Sequence, residues 1–136
     1  MTDVLIIGSG PAGMSAAIYA KRANLNVLIV EKEYEGTGQM AESSRIDNYP
    51  GFYGINGYEL GEKIREHAEA LGIKFLEAEV TGIQKTEESF DITLESGEVQ
   101  SSKTVIYTAF REVRNSKTEE FRTVHPVMGL FVRAKM

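Results

Sequence analysis

A glycine-rich turn near the start of the chain places the strongest constraint on its fold. Residues 8–13 read Gly-Ser-Gly-Pro-Ala-Gly, and the apolar run directly before them, at residues 4–7, predicts a buried parallel strand. The alanine-rich residues 12–23 predict a helix with small residues on its buried face, which ends at Asn24. A second apolar, β-branched run at residues 27–30 predicts a second strand. Strand, helix and strand in this order make a βαβ unit, so an α/β protein is expected.

Each glycine of the pattern G-x-G-x-x-G has its own physical role when the turn joins a strand to a helix. Gly8 permits the tight turn, Gly10 lets the backbone approach a pyrophosphate, and Gly13 lets the helix lie close to the strand. Pro11 suits the first helical turn, where its missing N–H costs nothing. The turn therefore predicts a pyrophosphate site at the helix N-terminus, and a glycine-rich turn without a ligand is the alternative. The candidate binding residues are Gly8, Ser9, Gly10, Pro11, Ala12 and Gly13.

An acidic residue at the end of the second strand strengthens this prediction. Glu31 lies 23 positions after Gly8, where a carboxylate can accept hydrogen bonds from both hydroxyls of an adenosine ribose. A carboxylate at this position would also repel a 2′-phosphate, so the site favours FAD or NAD over NADP. The alternative for Glu31 is a solvated side chain at the end of a strand.

The middle of the chain predicts a long loop followed by a helix. Residues 33–57 contain five glycines and one proline, and a loop this long is usually functional. Four aromatic side chains cluster at the end of this loop and the start of the next helix, and they are predicted to cap the core rather than stack on a flavin: Tyr49, Phe52, Tyr53 and Tyr58. Apolar residues at helical spacing then predict an amphipathic helix over residues 58–71, closed by Gly72. Its charged face, predicted to be solvated, contains Glu59, Glu62, Lys63, Arg65, Glu66 and Glu69.

The pattern changes to β structure after this helix. Short strands are predicted at residues 73–76, 79–84, 89–94 and 99–100, with a hairpin turn at Ser96-Gly97. A further apolar strand at residues 104–108 could return to the main sheet. This part of the chain is therefore expected to form a small antiparallel meander.

Composition excludes several classes of function. The net charge of −5 argues against a general nucleic-acid binder, because neutralising phosphates needs clustered Lys and Arg. The chain has no cysteine, so it can form no disulfide, thiolate nucleophile or cysteine-based metal site. His67 and His125 are too far apart in sequence to suggest a metal cluster. The apolar run at residues 4–7 is too short for a signal peptide or a membrane span, and a cytoplasmic location without membrane contact is expected.

The end of the chain differs in composition from the rest. Residues 1–109 carry nine basic and seventeen acidic side chains, whereas residues 110–136 carry six basic and three acidic ones. Twelve of the thirteen glycines lie before Phe110. This change predicts a divergent C-terminal tail at residues 110–136 that is not part of the same fold.

Three motifs in order carry a resemblance to a known family. They are Val-Leu-Ile-Ile-Gly-Ser-Gly-Pro-Ala-Gly at residues 4–13, Gly-Thr-Gly-Gln at residues 36–39 and Asp-Asn-Tyr-Pro-Gly at residues 47–51. Together they resemble the bacterial thioredoxin reductases, which are FAD-dependent pyridine nucleotide-disulfide oxidoreductases. The resemblance covers residues 1–109, about four-fifths of the chain. It implies an α/β fold, with a Rossmann-type FAD-binding parallel sheet and a small antiparallel β-meander.

The same resemblance implies where FAD would be bound. It places the pyrophosphate on the first motif, and it places Gly38, Gln39 and Asn48 near the ribityl chain and the isoalloxazine. It also implies that the backbone near Val80 touches the adenine. From the residues alone, Gln39 and Asn48 are better explained as turn residues. The cofactor-binding positions implied beyond the glycine loop and Glu31 are Lys32, Gly38, Gln39, Asn48, Val80 and Ala109.

The sequence departs from the family pattern at three places. Phe110 follows Thr108-Ala109 where the family has a glycine, and its side chain would block a close backbone approach. No Cys-x-x-Cys motif is present, and the comparable stretch begins at His125, which cannot replace a thiol. The chain stops at Met136, before a second dinucleotide-binding domain and the segment that completes the FAD domain. Residues 1–109 are therefore expected to form an incomplete FAD-binding domain, truncated and not catalytically competent alone.

Two other functions remain open at this point. The chain could be a non-catalytic remnant that holds an adenine nucleotide or a partner subunit, as Phe110 and the missing cysteines suggest. It could also be a small NAD-binding domain, although Gln39 and Asn48 argue against this. In the leading hypothesis FAD is bound, and either a partner chain supplies the missing half or the chain self-associates through its unpaired sheet edge.

Overall fold

A single mixed sheet with two α-helices forms the part of the chain that the structure describes. The computed structural model describes residues 1–33, 38–109 and 131–133, with the backbone only at residues 38, 39 and 131–133. The helices are α1 (Pro11–Arg22) and α2 (Gly57–Ala70), and Gly38–Glu42 is a short 3₁₀ helix. The strands are β1 (Thr2–Ile7), β2 (Val27–Glu31), β3 (Lys74–Glu77), β4 (Val80–Lys85), β5 (Phe90–Leu94), β6 (Val99–Tyr107) and β7 (Phe131–Arg133). The expected α/β fold is confirmed.

The sheet is parallel on one side and antiparallel on the other. Its order is β3-β2-β1-β6-β5-β4, with β7 paired to β6. The pairs β3–β2, β2–β1 and β1–β6 are parallel, and Val4 lies between Val27 and Thr104. The pairs β6–β5 and β5–β4 are antiparallel, as the predicted meander requires. Leu5 and Ile6 are fully buried in the central strand, which explains why β1 is a continuous apolar run.

One long strand joins the two parts of the sheet. The sequence predicts separate strands at residues 99–100 and 104–108, but Val99–Tyr107 is continuous. The polar residues between the predicted strands suggest a break, yet Ser102 is fully buried. Its hydroxyl oxygen lies 2.9 Å from the Thr104 carbonyl oxygen and 3.2 Å from that of Thr2, so burial leaves the hydroxyl satisfied. The meander is therefore an extension of the parallel sheet and not an attachment to it.

The core has two parts, one on each face of the sheet. Alternate residues of β1 and β2 meet both helices on the first face, where Ile6, Met14 and Leu60 are fully buried. The opposite face is lined by Leu5 and Ile92, together with other side chains from β1, β2, β5 and β6. Both helices lie where the sequence predicts them, with ends that differ by one residue.

The C-terminal tail contributes one short strand in the part of the chain that the structure describes. Phe131–Arg133 pairs antiparallel with Val105–Tyr107 of β6. The sequence pattern predicts no element at these three residues and sets the tail apart from the fold, whereas β7 lies in the same sheet as β6. The half of β6 beyond its pairing with β5 offers backbone groups on that side, and β7 pairs with them. Phe110 and His125 lie outside the described residues.

Candidate functional site

The glycine loop lies at the carboxyl ends of the two central parallel strands. Gly8 follows β1, and its backbone N–H donates to the carbonyl oxygen of Val30 at 2.9 Å. Its φ of +105° is a conformation that side-chain-bearing residues rarely adopt. The loop and the end of β2 are therefore held side by side. Open α/β sheets bind ligands at this edge.

Two of the loop glycines are required by the protein's own packing. A Cβ atom on Gly13 would overlap the carbonyl oxygen of Gly8, so α1 can approach β1 only without one. A Cβ atom on Gly8 would lie 2.8 Å from the Thr108 hydroxyl oxygen and 3.0 Å from the Ala109 nitrogen. These contacts agree with the predicted roles of Gly8 and Gly13.

Gly10 is different, because nothing in the described protein requires it. Apart from Gly10 itself, its two chain neighbours and the adjoining helix backbone, no atom of the described residues lies within 4 Å of the position that a Gly10 Cβ would take. Its φ of −67° and ψ of 177° are accessible to any residue. The absent side chain therefore leaves free space at the start of α1, on the outside of the loop. This is the space that a pyrophosphate would need in order to approach the backbone.

The start of α1 offers donors to that space. The first intrahelical hydrogen bond runs from the Met14 N–H to the Gly10 carbonyl at 3.0 Å. The N–H groups of Ala12 and Gly13 precede it, so they have no acceptor within the helix, and Pro11 has no N–H. Gly10, as the N-cap residue, has no side chain with which to accept their hydrogen bonds. A helix start of this kind suits an anion, and the residues present fit a pyrophosphate.

The end of β6 fixes the loop from the other side. The Thr108 N–H donates to the Ile7 carbonyl at 2.8 Å, and its hydroxyl lies 3.0 Å from the same oxygen and 3.1 Å from the Gly8 carbonyl oxygen. Ala109 follows directly and lies beside Gly8. Sequence reasoning includes Ala109 in the site but assigns no role to Thr108. A threonine at the end of an apolar strand does not by itself indicate a site. Its role becomes clear only once β6 is known to lie beside β1.

Glu31 is not the solvated carboxylate of the alternative interpretation. Its side chain is 3% exposed and forms an ion pair with Arg65 of α2. The Arg65 Nη1 atom lies 2.8 Å from Glu31 Oε1 and 3.1 Å from Oε2. The prediction that Arg65 belongs to a solvated helix face is wrong, because the residue is 8% exposed and faces β2 and β3. Burial works against its charge, but hydrogen bonds to Glu31 and Glu69 raise the pKa of Arg65 above its usual value.

Lys32 and Val80 lie beyond Glu31 along the same edge. Lys32 forms an exposed ion pair with Glu79, with 2.9 Å between Nζ and Oε2. Val80 follows Glu79 as the first residue of β4 and is half-buried against the second core cluster. The Ala78 N–H donates to the Glu31 carbonyl at 2.8 Å. The structure therefore brings Glu31, Lys32 and the start of β4 together.

The long loop holds the other predicted positions. Gly38 and Gln39 begin the 3₁₀ helix. Asn48 is exposed in a loop closed by backbone pairing of Ile46 with Ile55. Among the described residues, no hydrogen bond joins Asn48 to the glycine loop.

The four aromatic residues at the end of this loop and the start of α2 do not all cap the core as predicted. Tyr49 packs against the first core cluster. Tyr53 is 80% exposed and stacks with Arg45, whose Cζ atom lies 5.3 Å from the ring centroid. Phe52 and Tyr58 are also exposed. Core capping is therefore correct for Tyr49 alone among the four.

Neither helix of the described chain is long and apolar enough to cross a bilayer.

Residues 2–107 match the model of the pyridine nucleotide-disulphide oxidoreductases. The fold and the match together show that the chain belongs to this family.

Within the family, the chain is similar to thioredoxin reductases. It is 52% identical over 73 residues to the thioredoxin reductase of Bacillus subtilis, which is 54% of this chain and 23% of that protein. It is 40% identical over 105 residues to that of Mycoplasma pneumoniae, which is 77% of this chain and 33% of that protein. The chain therefore spans a third or less of the length of these two relatives.

Solved structures show the same similarity. The Lactococcus lactis thioredoxin reductase in its FR conformation matches with a TM-score of 0.74 at 37% identity, over 88% of this chain and 40% of that one. The Streptococcus pyogenes thioredoxin reductase matches with a TM-score of 0.75 at 40% identity, over 82% of this chain and 37% of that one. The chain is therefore similar to the N-terminal part of thioredoxin reductases.

Proposed function

We propose that residues 1–109 bind FAD with its pyrophosphate at the start of α1. The observation that carries the proposal is the free space at Gly10, which the protein's own packing does not explain. Gly8 and Gly13 shape the loop, and the N–H groups of Ala12 and Gly13 are the donors available to an anion. Ser9 and Pro11 complete the loop. The family match supports a flavin cofactor, and the resemblance of the three sequence motifs is the reason for proposing FAD.

The remaining predicted residues would bind the two ends of the cofactor. Glu31 would accept hydrogen bonds from the adenosine ribose, and the adjacent edge at Lys32 and Val80 would border the adenine. Ala109 lies beside Gly8 of the glycine loop, where it would approach the cofactor. The positions assigned to the flavin end by family resemblance are Gly38, Gln39 and Asn48.

When bound, FAD would supply two-electron transfer between a pyridine nucleotide and a disulfide. The chain's own residues hold the cofactor, and they lack the thiol that dithiol exchange needs, because none of the 136 residues is cysteine. We therefore propose that this chain supplies cofactor binding and is not catalytically competent alone. A nicotinamide site and a redox-active thiol would have to come from other protein, either a partner chain or further sequence.

The test is flavin retention by the purified chain. The protein is incubated with FAD and desalted, and its visible absorption spectrum is compared with those of Gly10→Val and Gly82→Ala. The Cβ of Gly10→Val meets no atom of the described residues beyond its chain neighbours, so we expect a folded protein that has lost the flavin band. Gly82 lies in β4, where a Cβ would meet the Thr93 side chain at an ordinary 3.8 Å, so Gly82→Ala should keep the flavin. A folded wild type that retains no flavin would overturn the proposal and favour a non-catalytic remnant.

A further inference from the structure

Arg65 is a buried cation within an otherwise exposed charged face. The other charged side chains of α2 are exposed or half-exposed, whereas Arg65 lies between the helix and the sheet. The cost of removing a guanidinium from water must be offset by close partners. Three such partners are present, one each from β2, α2 and β3.

These three partners fix the guanidinium group. Its Nη1 atom donates to both carboxylate oxygens of Glu31, and its Nε donates to Glu69 Oε1 at 2.9 Å. Its Cζ atom lies 4.0 Å from the ring centroid of Phe75, within the range of a cation–π contact. A planar group held by directional hydrogen bonds on two sides and by stacking on its face has little freedom to rotate.

The fixed guanidinium in turn sets the direction of the Glu31 carboxylate. Only 3% of that side chain is exposed, so the groups packed against it, Arg65 among them, set the direction of its oxygens. A carboxylate has about four acceptor positions, and the Arg65 contacts use one on each oxygen. The remaining acceptor positions are the ones that the ribose hydroxyls would use.

We propose that Arg65 is a positioning residue of the nucleotide site. Through Glu31 it orients the acceptor that binds the ribose of the adenosine by its hydroxyl groups. The inference rests on the proposed function, because it concerns the same site. It adds a residue that does not touch the ligand and that the helix pattern assigns to solvent.

The inference is tested by ribose discrimination in the full chain. Isothermal titration calorimetry measures the affinities for ADP and for 2′-deoxy-ADP, which differ only in the 2′-hydroxyl. In the wild type we expect ADP to bind about tenfold more tightly, as a hydrogen bond to a charged acceptor allows. In Arg65→Met the ratio should fall towards one, while the affinity for 2′-deoxy-ADP changes little. Lys63→Met, on the exposed side of the same helix, is the matched control and should keep the wild-type ratio.

Two further variants separate positioning from a merely structural role. Glu31→Gln should also lose the discrimination, and adding Arg65→Met to it should cause no further loss of the ratio. If Arg65→Met does not fold, Arg65→Lys decides, because its stem and charge are kept while the planar fork is lost. We expect Arg65→Lys to fold and to show a reduced ratio.

The outcomes distinguish the two proposals. A folded wild type that binds neither ADP nor FAD overturns the proposed function and this inference with it. Wild-type binding with discrimination that persists in Arg65→Met, or in Arg65→Lys when the methionine variant is unfolded, overturns the inference alone. Wild-type binding without discrimination shows that Glu31 does not receive the ribose, which also overturns the inference alone.

Discussion

The hydroxyl oxygen of Thr108 lies 3.1 Å from the carbonyl oxygen of Gly8 and joins the end of β6 to the first residue of the glycine loop. The same hydroxyl lies 3.0 Å from the Ile7 carbonyl oxygen, so it bridges the point where β1 becomes the loop. The loop is thus held by a strand that is distant from it in sequence.

Replacing Thr108 with valine should loosen this loop. The variant keeps the shape of the side chain but loses the hydrogen bond, so we expect the free energy of unfolding to fall by about 1 kcal/mol. Flavin affinity should fall as well, because Gly8 is less firmly placed. Urea unfolding and a fluorescence titration with FAD measure the two effects. Thr108→Ser keeps the hydroxyl and serves as the control, and equal behaviour of the two variants would contradict the assigned role.

Gly13 and Gly10 should respond differently to the same substitution. Alanine at Gly13 places a methyl group on the Gly8 carbonyl oxygen, and both atoms belong to a rigid strand–helix contact. We expect Gly13→Ala to lower the free energy of unfolding by about 1–3 kcal/mol, as overpacking does. Gly10→Ala should cost about 1 kcal/mol or less, since its Cβ meets free space and only the preference for glycine over alanine at the N-cap is lost. Urea unfolding of both proteins checks this contrast, which fails if Gly13→Ala is as stable as the wild type.

Breaking the buried ion pair should cost more stability than replacing it. Arg65→Met leaves the Glu31 carboxylate buried without its cation, so we expect a loss of about 3–5 kcal/mol. The double variant Arg65→Met with Glu31→Leu removes both charges and should recover most of that loss. Lys63→Met removes only an exposed ion pair, in which Lys63 Nζ lies 4.0 Å from Glu59 Oε1. It should lower the free energy of unfolding by about 0.5 kcal/mol or less. Urea unfolding of the three variants provides the test, and a double variant no more stable than Arg65→Met would contradict it.

Asp3 should make stability depend on pH in the acid range. The Lys103 ammonium at 2.7 Å and the Asn26 backbone N–H at 2.9 Å hold the pKa of Asp3 below its ordinary value of 3.8. A lowered folded-state pKa means that the contribution is present above the unfolded value and is lost as the pH falls through the folded one. Between about pH 5 and pH 2, the thermal unfolding temperature should therefore fall less steeply with decreasing pH in Asp3→Asn than in the wild type. Glu88→Gln is the control for charge alone, and identical pH profiles of Asp3→Asn and the wild type would disprove the linkage.

The parts that the sequence predicts well are those fixed by local pattern. The glycine spacing, the apolar runs and the periodicity of α2 identify the βαβ unit and the second helix, because each is specified within a few neighbouring residues. Gly13 illustrates this, since its role is predicted from its spacing of five residues after Gly8 in the sequence. Local rules therefore suffice for the loop and for the elements that position it.

The parts that the sequence does not predict depend on residues far apart in the chain. Arg65 borders the buried face of α2, between Ile64 and Ala68, and its charge suggests solvent until Glu31 and Phe75 are placed beside it. Ser102 suggests a break in β6 until Thr2 supplies an acceptor for its hydroxyl. In both cases the partner, and not the residue type, decides burial. A helix or strand pattern carries no information about such partners.

Strand β6, which belongs to both the parallel and the antiparallel part of the sheet, affects the order in which the chain folds during synthesis. Thr2 of β1 pairs with Ser102, so the middle of the sheet joins segments that leave the ribosome a hundred residues apart. Until β6 emerges, β1 can pair with β2 on one side while its other edge stays open to other chains. Nascent protein is thus most prone to aggregate during that interval. Arrival of β6 joins the parallel and the antiparallel halves at once, and only the short strand β7 is added to the sheet after it.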